Sequence, residues 1–236
     1  GACRPRASLE CAIRQPSSGC PAHTPILLIL SPAHSSPAAA SPHAPLHWVR
    51  SEDGQRVIDH GTGTAAQWPA DAEVVFVLPP RALSWHRVAL PKVAASRLRA
   101  ALQGLLEDRL LGEADSLHMA LEPGSRPGQT LWVAVCDKAW LRGWLSLLES
   151  SGHPVTRIVP SHTPVGADDQ ALHWAHPVAG QVWVAHASAQ GATLAPLQAH
   201  AQIHSGSAGR WLSEPSVAAV AEAALDRRLE LMTLHA

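Results

Sequence analysis

One stretch of the sequence, residues 74–121, has clear strand and helix patterns and constrains the fold more than any other. Residues 74–78 form an apolar run rich in β-branched side chains that two prolines end, which predicts a strand buried on both faces. Residues 83–90 alternate in polarity and predict a second strand. Leucines and alanines then recur at helical spacing over residues 94–106, and alternation returns at residues 115–121. The stretch therefore predicts strand, strand, helix and strand.

The predicted helix in this stretch has an apolar face and a charged face. At about 3.6 residues per turn, one stripe of small or apolar residues is expected to face the core. The stripe consists of Ala94, Ala95, Leu98, Ala101, Leu102, Leu105 and Leu106. The opposite face carries Arg97, Gln103, Glu107 and Asp108. Arg109 follows at the end of the stripe, where it can either neutralise carbonyl groups of the helix end or form a charged contact with a partner.

The chain ahead of this stretch predicts an extension followed by three strands. Residues 1–24 combine Pro, Ser, Cys and Arg without periodicity and are predicted to be a disordered N-terminal extension outside the fold. Residues 26–30 have an apolar strand pattern, and residues 46–50 and 55–59 flank a turn that ends in Gly54. The three strands are predicted to form a meander.

The chain after this stretch repeats the same order of elements. The predicted elements are strands at residues 130–136 and 155–159, a helix at 140–148, three short strands between 172 and 197, a helix from 215 and a strand at 229–233. A meander followed by helix and strand thus occurs in two halves, about residues 25–130 and 131–236. This favours a duplicated α/β fold with helices packed on mixed sheets.

The composition excludes some classes of function. Hydrophobic residues make up 46% of the 236 residues, which is enough for a core. Eighteen basic and nineteen acidic residues leave a net charge of −1, so neither a nucleic-acid partner nor a charged membrane surface is predicted. No stretch approaches the ~18 consecutive apolar residues of a membrane-spanning helix, and the chain is expected to be soluble.

The four cysteines form no metal-binding or catalytic pattern. Cys3, Cys11, Cys20 and Cys136 have no CxxC spacing and no paired histidines, so a zinc site is not predicted. Cys136 follows an apolar run, where a buried and inert thiol is the usual state. The alternative, a reactive thiol, would need a base nearby.

The motif that most suggests ligand chemistry is the run DHGTGT at residues 59–64. An acidic residue at a strand end can hold a metal ion, while backbone N–H groups and hydroxyls of a Gly/Thr turn hold phosphate. The run resembles the phosphate loop of actin-like ATPases, but that loop joins the first two strands, and here residues 31–45 make that connection without an Asp. The alternative is a strand that ends in a turn of small residues. The candidate residues are Asp59, Gly61, Thr62, Gly63 and Thr64.

Other polar groups give no catalytic or metal-binding set. His173 and His176 are three residues apart on a predicted strand, so their rings point to opposite faces and do not share a metal ion. Asp168 and Asp169 lie in a predicted loop, where solvated acids are expected. The sequence has no GxSxG elbow, Walker A loop, GxGxxG after a strand or HExxH motif. No catalytic residue, cofactor or metal is predicted.

The sequence resembles the cytoplasmic domain of the type II secretion system protein L family. The resemblance is carried by the Leu-Pro-Pro strand end, the strand SWHRVALP, the helix RLRAALQGLLEDRL and the Asp-Ser-Leu-His that follows. Farther along, WVAVCDKAWLRGWLSLLESSG and VTRIVPS resemble the next strand, helix and strand of the family. The similarity covers about residues 24–233.

This resemblance implies a divergent actin-like fold of two RNase H-like halves, in an inner-membrane protein whose cytoplasmic part docks the amino-terminal domain of the secretion ATPase. The protein would be a scaffold without enzymatic activity at the cytoplasmic face of the bacterial inner membrane. Further implied partners are the type II protein M, other inner-membrane platform proteins and a second copy of the chain. The family continues into a membrane helix and a periplasmic domain, which are expected to be absent from this chain.

Two hypotheses from different functional classes follow. The first is a scaffold that binds a secretion ATPase, or a pilus-assembly scaffold of related fold. The second is an actin-like nucleotide-binding phosphotransferase or ATPase that uses Asp59 and Thr62 and that Mg-ATP would stabilise. The docking surface predicted for the scaffold is the exposed helix face with Arg97, Glu107, Asp108 and Arg109.

Overall fold

The first five-stranded sheet begins with three antiparallel strands that follow one another along the chain. The computed structural model describes residues 26–32, 39–68, 73–204 and 207–231. Each strand pairs with the next, so the predicted opening meander is confirmed. The predicted extension at residues 1–24 lies outside the described residues. The three strands are β1 (Leu27–Pro32), β2 (Leu46–Ser51) and β3 (Val57–Gly63).

The well-patterned stretch forms the predicted strand, strand, helix and strand, but its strands lie in two different sheets. Its first strand pairs parallel with β1, and the chain leaves the first sheet at Pro79 and Pro80. Its other two strands flank a later strand in a separate three-stranded sheet, which the helix covers on one face. These elements are β4 (Glu73–Leu78), β5 (Ser84–Ala89), α1 (Ala95–Leu106), β6 (Leu117–Leu121) and β7 (Thr130–Asp137), and the small sheet has the order β5-β7-β6.

Elements that follow the small sheet complete the first one. A helix begins after Asp137, whose carboxylate accepts a hydrogen bond from the Trp140 N–H at 2.6 Å, as predicted for a helix cap. The next strand pairs parallel with β4, although it lies beyond the predicted boundary near residue 130. The division of the chain into domains stays a prediction. The elements are α2 (Lys138–Ser150) and β8 (Val155–Pro160), and the first sheet has the order β3-β2-β1-β4-β8.

The second five-stranded sheet repeats the strand order of the first. Three strands form an antiparallel meander, a fourth pairs parallel with the first of them, and a fifth pairs parallel with the fourth. The fourth strand and the helix before it were not predicted from the sequence. The elements are β9 (Leu172–Val178), β10 (Gln181–Ser188), β11 (Gly191–Pro196), α3 (Leu197–His204), β12 (Arg210–Ser213), α4 (Ala218–Leu225) and β13 (Glu230–Leu231), in the order β11-β10-β9-β12-β13. The duplicated α/β architecture is confirmed.

Each sheet has its own buried core. Beneath the first sheet, Phe76, Trp144 and Leu148 bury nearly their whole side chains between β4 and α2. Beneath the second, Trp211 and Leu225 bring β12 and α4 together. Burial of each large apolar side chain contributes roughly 1.5–3 kcal/mol to folding. Among the helices of the described residues, none has the length and apolar character that crossing a membrane requires.

The apolar stripe of α1 is narrower than predicted. Leu102 and Leu106 are buried against the small sheet, whereas Leu105 is 50% exposed. Ala94 lies before the helix and Ala95 is exposed at its start. A single helix on a three-stranded sheet makes one line of contact, so residues beside that line stay at the surface.

Candidate functional site

The Gly/Thr run at residues 59–64 is part of an edge strand rather than the predicted turn. β3 extends to Gly63, and Asp59, Gly61 and Thr62 each pair in register with β2. Neither glycine of the run has a positive φ. A phosphate-binding nest needs successive N–H groups that point the same way, whereas an extended strand directs them alternately to its two edges. The predicted turn is therefore wrong, and phosphate binding by these residues stays a prediction that lacks such a nest.

Contacts within the sheet account for the small residues of this run. A Cβ added at Gly61 would lie 2.8 Å from the Trp48 ring, so the neighbouring tryptophan requires a glycine there. The Thr64 N–H donates to Oε1 of Gln67 at 3.0 Å, where the chain turns after β3. The Asp59 carboxylate is exposed and accepts a hydrogen bond from the N–H of the next residue at 2.8 Å.

A cleft of about 730 Å³ lies between the two five-stranded sheets, and Thr62 is part of its wall. Oγ1 of Thr62 is 2.9 Å from Nδ1 of His47. Five prolines and two tryptophans form much of the remaining wall. Glu214 is the one carboxylate among the described residues that line the cleft, burial raises its pKa, and no Lys or Arg lines it there. A nucleotide site uses cationic groups and a bound metal around the phosphates, and this lining offers one carboxylate and no fixed cation.

His173 and His176 point to opposite faces of β9, as their spacing predicts. The His176 ring lies beside Trp174, with 4.7 Å between the ring centroids, and its Nδ1 is 3.3 Å from the Trp174 carbonyl oxygen. The His173 ring stacks on Trp211 of the neighbouring strand at 3.7 Å between centroids. The two histidines therefore belong to different surroundings.

His173 is one member of a cluster of four histidines that the sequence did not predict. His186 comes from β10, and His200 and His204 come from α3. Nδ1 of His173 is 3.0 Å from Nε2 of His200, and the ring centroids of the four lie 4.5–5.9 Å apart. Burial, and then the charges of the other histidines, lower the pKa of His173 to about 3 and that of His200 to about 4. Both rings are neutral at pH 7, and no His, Cys, Asp or Glu group within the described part of the chain is arranged to hold a metal ion.

Two other sequence candidates have structural roles. Burial and the charge of Asp137 raise the pKa of the Cys136 thiol to about 11, so the predicted inert state of this thiol is confirmed. The Asp169 carboxylate accepts a hydrogen bond from the Gly166 N–H at 3.0 Å and closes a loop turn, while Asp168 is exposed. Neither acid is held beside the other as a catalytic pair would be.

The predicted docking residues are all exposed, on the α1 side of the small sheet. Arg97 lies near the start of α1, while Glu107, Asp108 and Arg109 form a 3₁₀ turn that continues the helix. Ten residues separate Arg97 from Glu107, which is about 15 Å along a helix. The four residues therefore occupy two ends of one surface.

Arg109 does not cap the helix end as the sequence suggested. Its Nη1 donates to the carbonyl oxygen of Arg87 on β5 at 3.2 Å, so the guanidinium is turned toward the small sheet. Beside it, Leu105 is 50% exposed and Leu111 is fully exposed. Large exposed apolar side chains among charged ones are typical of protein-binding surfaces. This part of the molecule can bind a partner but carries no catalytic arrangement.

The chain is similar in sequence to known secretion proteins. The family model of type II secretion system protein L matches residues 37–183, more than half of the chain. Type II secretion system protein L of Pseudomonas aeruginosa is 31% identical over 149 residues, which cover 62% of this chain and 37% of that protein. The protein of the same name from Dickeya chrysanthemi is 29% identical over 134 residues, which cover 53% and 33%. The chain thus matches about a third of the length of these relatives.

Solved structures with the same fold come from related machinery. The cytoplasmic domain of EpsL, an inner membrane component of the type II secretion system of Vibrio cholerae, has a TM-score of 0.57 and 19% identity, covering 80% of this chain and 81% of that chain. A chain of the PilM–PilN type IV pilus biogenesis complex has a TM-score of 0.52 and 12% identity, covering 88% of each. The predicted actin-like fold of two RNase H-like halves is confirmed. With the match of the family model, the chain belongs to the type II secretion system protein L family.

Proposed function

We propose that this chain is the cytoplasmic part of a non-enzymatic platform component of the type II secretion system. It acts at the cytoplasmic face of the bacterial inner membrane and recruits the cytoplasmic secretion ATPase for protein export across the outer membrane. The observation that carries the proposal is the exposed surface of α1 and its 3₁₀ turn, where charged residues surround two exposed leucines. Such a surface suits a protein partner.

The proposed direct partner is the amino-terminal domain of the secretion ATPase. The type II protein M, the other inner-membrane platform proteins and a second copy of this chain are further proposed partners. A scaffold needs stable surfaces rather than reactive groups. The small sheet and α1 meet this need, because Leu102 and Leu106 fix the helix while its outer side stays free.

The chemistry of the buried groups favours binding over catalysis. The Cys136 thiol is protonated because its pKa is raised to about 11, and His173 is neutral because its pKa is lowered to about 3. The cleft between the sheets offers Glu214 as its one carboxylate among the described lining residues. A general acid or base works best with a pKa near the operating pH, and these groups are far from it.

Isothermal titration of the chain with the amino-terminal domain of the secretion ATPase tests the proposal. Saturable heat with one partner per chain is expected, and no binding at tens of micromolar, about 6 kcal/mol of free energy, would contradict it. The reversals Arg97→Glu and Asp108→Lys are expected to weaken the complex, whereas Glu52→Lys, an exposed reversal in the turn between β2 and β3, is not. Unchanged affinity in both reversals would move the docking surface elsewhere.

The nucleotide hypothesis makes a different prediction. A ligand that binds only the folded state raises its melting temperature, so Mg-ATP at about 1 mM would stabilise a nucleotide-binding chain by several degrees. The scaffold proposal predicts no shift. A shift that Asp59→Asn or Thr62→Val removes would favour the phosphotransferase instead.

A further inference from the structure

An open depression of about 410 Å³ lies where α1 ends, beside the docking surface proposed above. The last turns of α1 contribute Gln103, Gly104 and Glu107 to its wall. The loop that follows contributes Glu113 and Asp115 on the other side. Residues more than ten positions apart therefore meet at one place on the surface.

The depression is acidic, and its charge is not neutralised within the chain. Glu107, Glu113 and Asp115 are exposed, and among the described residues none of them has an ion-pair partner within 4.0 Å. Asp115 accepts a hydrogen bond from the neutral amide of Gln103 at 3.1 Å. Asp108 adds a further exposed carboxylate next to Glu107. Several uncompensated carboxylates in one depression create a negative potential that attracts cations.

The nearest arginines are held by the backbone instead of by these carboxylates. Arg109 donates to the carbonyl oxygen of Arg87 at 3.2 Å, and Arg99 donates to the carbonyl oxygen of Leu117 at 3.3 Å. Both guanidinium groups are thus directed to the small sheet. The carboxylates stay available to a partner.

Apolar contacts flank the charged depression. Leu110 forms part of its wall, Leu111 follows it with a fully exposed side chain, and Leu105 is 50% exposed on the last full turn of α1. Interfaces between proteins combine an apolar centre with a charged rim. An acidic surface repels nucleic acids and anionic lipid headgroups, both of which are polyanions at their surface. The remaining class of partner is a protein.

We propose that this depression is the recognition site for lysine or arginine side chains of a basic protein surface whose apolar residues cover Leu105 and Leu111. The proposal rests on the ATPase-docking function proposed above and adds the chemistry of the partner: the docking face of the ATPase domain is positively charged. Complementary charge of this kind speeds association and fixes the orientation of the complex.

A pair of variants at one position gives the sharpest test. A Cβ at Gly104 would meet no atom within 4 Å, and both Lys and Glu favour a helix more than Gly does, so neither Gly104→Lys nor Gly104→Glu should unfold the chain. Titration of each variant with the ATPase amino-terminal domain is expected to give weaker binding, on the order of fivefold, for Lys and equal or tighter binding for Glu. Equal weakening by both would indicate simple obstruction and overturn the proposal.

The double variant Glu107→Lys with Glu113→Lys gives the largest effect. Its affinity is expected to fall on the order of tenfold at about 50 mM salt, and the wild-type complex to weaken toward about 300 mM salt while the variant does not. Glu52→Lys is the matched control and should leave affinity unchanged. Full wild-type affinity in the double variant would overturn this inference while leaving the docking function intact.

The outcome for the wild-type chain separates the two proposals. If the unaltered chain does not bind the ATPase domain, the proposed function fails, and the inference fails with it. If the chain binds only a second copy of itself, and the double variant abolishes that binding, the acidic site is real but the ATPase is not its occupant, which contradicts the partner named here. Binding of the ATPase domain with the charge dependence given above supports both.

Discussion

The two five-stranded sheets have the same strand order but different material beneath them. The core of the first contains Phe76, Trp144 and Leu148, and no histidine lies in it. The core of the second includes Trp211 together with the neutral His173 and its three histidine neighbours. Strand order follows from alternation and turn placement, whereas the filling decides how each half responds to pH. One topology can therefore carry a purely apolar core and a titratable one.

Truncation of the first core should have the largest effect on stability. Phe76→Ala removes a fully buried ring that lies 5.9 Å from the Trp144 ring, between centroids. The expected loss in the free energy of unfolding is about 3–5 kcal/mol, since the cavity adds to the lost transfer energy. Denaturant unfolding measures it. Leu111→Ala, at a fully exposed side chain, is the control and should change stability by less than about 0.5 kcal/mol.

Acid should weaken the second sheet more than the first. The folded-state pKa of His173 is about 3 and that of His200 about 4, below the ordinary value of about 6.5, so below that pH the unfolded chain binds more protons. The groups around His173 are His186, His200, His204 and Arg227, which all disfavour a further positive charge. Stability is therefore present above about pH 6.5 and lost as pH falls toward the folded values. The two histidines together predict roughly 3 kcal/mol lost between pH 6.5 and 5.

Denaturant unfolding at several pH values measures this loss, and hydrogen exchange corrected for its intrinsic pH dependence locates it. The amides of β9 and β10 are expected to lose protection before those of β1 and β4. His43→Gln, at an exposed histidine, should leave the profile unchanged. Equal acid sensitivity of the two sheets would contradict the comparison between them.

A glycine in each of two settings sharpens the account of the first sheet. Gly61→Val brings a Cβ to 2.8 Å from the Trp48 ring and is expected to lower stability by about 1–2 kcal/mol through overpacking. Gly104→Ala meets no neighbour and should raise it by roughly 0.5–1 kcal/mol, because alanine favours a helix. Thermal unfolding measures both. A Gly61→Val chain as stable as wild type would remove packing as the reason for this glycine and restore interest in a ligand.

The sequence predicted most strands but not their assignment to sheets. Residues 74–78 and 84–89 both read as strands, yet only the first joins the sheet of β1, because Pro79 and Pro80 redirect the chain between them. Pairing between strands that are distant in sequence leaves no local signal. The helix α3 was missed because His200, Gln202 and His204 interrupt its apolar pattern, and its partner strand β12 has only four residues.

The candidate sites were predictable only in part. The exposure of Glu107 and Asp108 follows from helical spacing, and the sequence correctly indicates it. The approach of Glu113 and Asp115 to Glu107 depends on the turn after α1, which has no periodic pattern. The histidine cluster could have been suspected from the spacing of His200 and His204, four residues apart on one helix face, once α3 was recognised. Alternation on β10 alone would not place His186 beside them.

Hydrogen exchange of the chain with and without the amino-terminal domain of the secretion ATPase tests the central claim, which is recruitment of that ATPase through the α1 surface. Slower exchange is predicted in α1 and in residues 107–116, with the two five-stranded sheets unchanged. Protection confined to the cleft between the sheets, or no protection anywhere, would contradict the account.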